Sequence, residues 1–290
     1  MKPLLALCFG AIVAAQSPFS FHEAAPGSLE LRENGKPVFV YNYGMKLQAG
    51  VPEDRSRSTY LHPVYAPDGT VLTDDFPKDH YHHRGISWMW PVVVIGGERF
   101  NLWEIHGIRQ RFERWTAREA QPGHARLGVE NGWYAGERKV LNEKVEIVVQ
   151  PARSNRRVLD LTLVFEALDR PIDIAGTPDQ QKGYGGLCFR FAPRTDTAVS
   201  TDSGPEPRDT NLVPHKWAEL RGTFEGRRAG SRIDIDPANP AFPNGWCLRR
   251  YGFLGVSFPG LAPYKLEPAH PLVLKYRVTL FNWQIAEKLF

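Results

Sequence analysis

Beyond its N-terminus this chain lacks any run of about 18 continuous apolar residues, the length a helix needs to cross a bilayer. A membrane-spanning mature protein is therefore not expected. It has only 3 cysteines, none spaced as a zinc knuckle. It has no Gly-x-Ser-x-Gly elbow, no His-Glu-x-x-His helix and no EF-hand loop, which removes the commonest hydrolase, zinc-protease and calcium-sensor readings. Charge of one sign is not in excess either. The formal balance is +4 over 290 residues with acids and bases intermixed, so no basic stripe suggests a nucleic-acid partner. No repeat or low-complexity tract breaks the chain.

The N-terminus reads as an export signal. Lys2 supplies a positive start, Leu4 to Ala15 an apolar core too short to span a bilayer, and Val13-Ala14-Ala15 the small residues a signal peptidase selects. Cleavage after Ala15 is expected, leaving residues 16–290 as one domain in the periplasm or outside the cell. Two cysteines then remain, Cys188 and Cys247. Both lie in apolar, strand-like segments. An oxidising compartment permits a disulfide between them, and two buried free thiols are the alternative.

Strand signals dominate. Leu29 to Leu31 and Val38 to Tyr41 flank Asn34-Gly35, a strong hairpin turn. Val64-Tyr65 and Val71-Leu72 flank the turn Pro67-Asp68-Gly69. Lys144 to Gln150 alternates polar and apolar, and Val158 to Phe165 places Leu159, Leu161, Leu163 and Phe165 on one face. Gly185 to Ala192, Leu248 to Phe258 and Leu272 to Phe281 read as further strands, and only Trp283 to Leu289 as a short helix. Strands without intervening helices pack as antiparallel sheets face to face. The expected fold is all-β, a large antiparallel sandwich with few short helices.

Chemistry concentrates in one region. Of 9 histidines, His62, His80, His82, His83 and His106 fall between residues 62 and 106. In an extended strand, residues two apart share a face, so His80 and His82 would point together and His83 away. Glu104 and His106 form a second such pair. Two uses follow. His80 or His82, with Glu104 or Glu143 as carboxylate, could exchange protons with a substrate. Alternatively His80, His82, Glu104 and His106 could ligate a divalent metal such as Zn²⁺, Fe²⁺ or Mn²⁺. Arg84 offers a planar donor fork suited to carboxylates or vicinal hydroxyls. His62, His83, His106, Tyr184 and Arg190 complete the candidate substrate contacts. The nearby tryptophans could stack on a sugar ring, and a carbohydrate or other small molecule is the expected partner.

Three stretches carry a family resemblance: Tyr60 to Pro77 leading into Asp79-His-Tyr-His-His-Arg-Gly85, Lys182-Gly-Tyr-Gly-Gly-Leu187, and Asp236-Pro-Ala-Asn-Pro240 with Trp246 and Tyr251-Gly-Phe253. They resemble a bacterial domain-of-unknown-function family often labelled "methane oxygenase PmoA", over most of the chain. The resemblance implies a secreted protein associated with polysaccharide breakdown and a galactose-mutarotase-like supersandwich. It supplies no catalytic residues. The chain departs from the family pattern after Arg84, where Ile86 to Gly97 is more apolar. A glycan-active enzyme of hydrolase, lyase or epimerase type is the leading expectation, with a metal-dependent oxygenase or hydrolase and a non-catalytic glycan-binding module as alternatives.

Overall fold

The Asn34-Gly35 turn forms as its sequence dictates. Both residues have positive φ, 49° and 76°, the pair of values a two-residue turn needs to match the twist of its strands. It joins Ser28–Glu33 to Lys36–Asn42. This computed structural model describes residues 16–283, so the export signal and the helix expected beyond Trp283 lie outside the described residues.

The described chain is built from antiparallel pairs arranged in three sheets. One nine-stranded sheet begins with Phe19–Ala25, Ser28–Glu33, Lys36–Asn42 and Tyr60–Val64. It continues through Ile86–Met89, Gly186–Arg190, Phe253–Ser257, Gly245–Arg249 and Thr210–Pro214. The second nine-stranded sheet is centred on Leu272–Asn282, Arg156–Ala167 and Arg138–Val149. A four-stranded sheet contains Val92–Ile95 and Glu98–Phe100.

Alternation decides what is buried. Leu159, Leu161, Leu163 and Phe165 are all buried, and Leu163 pairs with Leu274 on the neighbouring strand. The two large sheets meet across aromatic side chains, with Trp90 packed edge-on against Phe165 at 5.1 Å and Tyr41 against Trp115 at 5.9 Å. The expected all-β antiparallel sandwich is therefore present. One boundary differs. The run Leu248 to Phe258 is two strands, Gly245–Arg249 and Phe253–Ser257, reversed at Arg250 to Gly252. The reversal lifts Tyr251 out of the sheet, where it is 44% exposed.

Cys188 and Cys247 are buried free thiols. Each pairs with Gly255, from opposite sides. A whole strand therefore lies between them, so their α-carbons are separated by about 10 Å, two strand spacings, too far for a disulfide.

Candidate active site

The segment carrying the histidines is not a strand. His80 N–H donates to Pro77 O at 3.0 Å and His83 N–H donates to His80 O at 2.8 Å, two turns in succession. The expectation that His80 and His82 share a face and His83 opposes them is thus overturned. Turns bring residues three apart together, and the imidazoles of His80 and His83 stack at 4.8 Å with planes 4° apart. The His82 ring stands edge-on to both, at 5.6 Å and 4.7 Å. All three rings converge on one cleft of about 320 Å³.

Arginine holds this turn in place. Arg84 is fully buried, and its Nη1 donates to Tyr81 O and His83 O while Nη2 donates to Arg55 O. Its Nε lies 3.4 Å from Asp75 Oδ1. The expected role of Arg84 as a substrate clamp is therefore corrected: its donors are spent inside the protein. The next residue, Gly85, packs so closely that an added Cβ would lie 1.9 Å from Leu61 O. Arg57 makes the matching anchor for the facing loop, with Nη2 donating to Leu102 O at 2.6 Å and Trp103 O at 2.9 Å.

His80 is the best-placed imidazole. Its Nδ1 lies 3.0 Å from Asp79 Oδ2, and the same carboxylate accepts two hydrogen bonds from Arg190 Nη2 at 2.8 and 3.1 Å. Burial works against ionisation of Asp79, but His80 and Arg190 outweigh it and hold the carboxyl below its usual range. The His80 ring lies between His83 and Tyr251, whose ring is 5.7 Å away and nearly parallel. Arg190, expected to contact substrate, is instead buried behind Asp79 and under the Tyr251 ring.

The other walls are aromatic and charged. Trp103 meets Tyr184 at 4.7 Å and stands perpendicular to His83 at 5.7 Å. His83 also stacks on Phe253 at 5.0 Å. Lys182, Glu104 and Arg249 supply charge. Glu104 and His82 also face an adjoining hollow of about 230 Å³. Burial, followed by the charges of His80, Arg57, Arg84 and Arg55, depresses the His82 pKa to about 3. His83 is held well below its usual range by burial and then by His82 and His80. Both are neutral near pH 7.

Three expected residues lie elsewhere. Glu143 does not line the cleft and is not solvated. It is fully buried between the sheets, accepting from Gln110 Nε2 and Asn131 Nδ2 at 2.8 Å each and from Trp133 Nε1 at 2.7 Å. His62 faces a separate groove with Tyr60 and Asp75, its Nδ1 3.0 Å from Thr73 Oγ1. His106 stands outside the cleft with Nδ1 3.6 Å from Glu104 Oε2. The tetrad His80, His82, Glu104 and His106 has no common focus. Among the described residues no group of three or more His, Cys, Asp or Glu is placed to hold a metal ion. That corrects the expected metal site.

Asp79, Lys182, Arg249, Tyr251 and Phe253 were missed as site residues. The signal for the last three was present: Arg249-Arg250 inside an apolar run, followed by Tyr251-Gly252, marks a reversal rather than one long strand.

No curated protein matches the chain. Among solved structures it is similar to a heparan sulfate lyase HepC mutant from Pedobacter heparinus, at 8% identity and a TM-score of 0.42, over 94% of this chain but 36% of that one. It is also similar to a galactose mutarotase related enzyme from Lactobacillus acidophilus, at 9% identity and a TM-score of 0.44, over 93% of this chain and 100% of that one. Likeness at this level assigns no activity. The family comparison is decisive where these are not. A model described as a family of unknown function, without any oxygenase description, matches residues 28–288, and the chain belongs to that family, DUF6807.

Proposed function

We propose that this protein is an exported carbohydrate-active enzyme in which His80 moves a proton to or from the bound sugar. The observation that carries the reading is the Asp79–His80 contact at the edge of an aromatic cleft. A carboxylate at Nδ1 fixes the orientation and tautomer of the imidazole. Nε2 is then the nitrogen left to meet a substrate.

His82 is less suited to the proton-transfer step. With its pKa depressed to about 3 it stays neutral and serves as a hydrogen-bond partner. Glu104, which lines the same cleft, is the second acid–base group. The sugar assignment rests on the mixture of surfaces. Tyr251 and Tyr184 line the cleft with aromatic surface for C–H groups, backed by the buried Trp103, and the charged side chains between them meet hydroxyls.

The test is a panel of oligosaccharides assayed for bond cleavage or epimerisation by NMR. Turnover of at least one, lost by about a hundredfold or more in His80→Gln as expected for a general acid–base group, supports the proposal. Full activity in His80→Gln on every accepted sugar overturns it.

A further inference from the structure

We infer that the cleft selects an anionic saccharide, one bearing a carboxylate or sulfate group, and seats that group between Lys182 and Arg249. The inference rests on the saccharide reading and deepens it.

The lining carries two permanent cations, Lys182 and Arg249, against one carboxylate, Glu104. The second nearby acid, Asp79, is already neutralised by Arg190. Among the described residues the hydrogen bonds of Arg249 go to neutral acceptors: Nη1 donates to Thr210 O at 2.7 Å and Leu248 O at 3.0 Å, and Nη2 to Asn211 Oδ1. A guanidinium has five N–H donors, and these bonds use three. Lys182 is paired with Asp179 at 3.3 Å, but that carboxylate is 63% exposed. A solvent-exposed pair of this kind is weak, and a ligand oxyanion competes with it readily.

The rest of the neighbourhood has the same sign. After burial, the leading charges that act on His82 are His80, Arg57, Arg84 and Arg55, and of these arginines Arg57 and Arg55 lie beside the cleft in addition to its two lining cations. Charges of one sign around a partly enclosed hollow focus their potential there. A neutral sugar would leave that potential unanswered.

The experiment is calorimetric titration of the purified protein with three probes: a uronic-acid disaccharide, its carboxyl-reduced counterpart, and the O-sulfated form of that counterpart. At least one charged probe is expected to bind about tenfold or more tighter than the reduced one, with the advantage shrinking as salt rises. Which charged probe is preferred identifies the oxyanion. Lys182→Gln combined with Arg249→Gln is expected to erase the advantage, weakening the charged probes more than the neutral one. If Arg249→Gln fails to fold, Lys182→Gln alone decides: a loss for charged probes about threefold or more beyond any loss for the neutral one supports the inference, and no such difference overturns it. Equal affinity for all three probes overturns the inference alone. Absence of binding by any probe, together with an inactive oligosaccharide panel, overturns the saccharide reading and this inference with it.

Discussion

Arg84 stands between the histidine turn and Asp75: its Nε is 3.4 Å from Asp75 Oδ1 while its terminal nitrogens hold the carbonyls of Tyr81, His83 and Arg55. One buried side chain thus bridges the cleft and the groove behind it. Arg84→Gln removes the charge and most of the donors, leaving Asp75 with the Tyr60 hydroxyl but without its guanidinium partner, and several carbonyls unanswered. Breaking a buried pair from one side costs about 3–5 kcal/mol. Urea denaturation is expected to show a loss of that order, with the double variant Arg84→Gln/Asp75→Asn recovering part of it. A single variant within about 1 kcal/mol of the parent would disprove the bridging role.

Acid should weaken the fold through the histidines. His62 is held at about 4 and His82 at about 3, mainly by burial. Both are therefore harder to protonate folded than unfolded. Their contribution is complete above the unfolded value of about 6.5 and is lost as pH falls toward 4 and 3. Asp75 runs the other way. Burial raises it to about 6, so its ionisation costs stability as pH rises from about 4 to 6. In His62→Gln the slope of stability against pH between about 4 and 6.5 should fall by up to about 1.4 kcal/mol per pH unit. An unchanged slope contradicts the burial argument.

Glu143→Gln tests whether that residue is structural. The substituted amide would turn an NH₂ group toward donors that now meet oxygen, at Gln110, Asn131 or Trp133. A loss of about 1–3 kcal/mol is expected, with the affinity of the cleft for its saccharide unchanged. Reduced turnover at parental stability would return Glu143 to the catalytic set.

Asp79→Asn separates orientation from charge. The amide can still meet His80 Nδ1 but cannot balance a protonated ring, and it frees Arg190. Turnover is expected to fall about tenfold to a hundredfold with KM nearly unchanged. A rise in KM alone, with kcat fixed, would make Asp79 a binding residue instead.

Much of this architecture was legible in the residues. Period-two alternation in Val158 to Phe165 and the Asn34-Gly35 turn each dictate one local geometry, and both are present. The site was legible in location but not in arrangement. The two-residue spacing rule assumes extended chain, whereas Pro77 and Asp79 introduce turns, so His80 and His83 became neighbours. Arg84 and Glu143 misled because sequence shows a side chain's chemistry and not which side of a sheet receives it. Arg84 points inward to carbonyls, and Glu143 meets its donors in the core.

Gly255, flanked by Cys188 and Cys247 in register, has a practical consequence. With a full strand interposed, the fold owes nothing to sulfur oxidation. Thermal unfolding should give the same midpoint with or without dithiothreitol, and residues 16–290 produced in a reducing cytosol should acquire the same structure. Thiol titration of the unfolded protein should then count both groups.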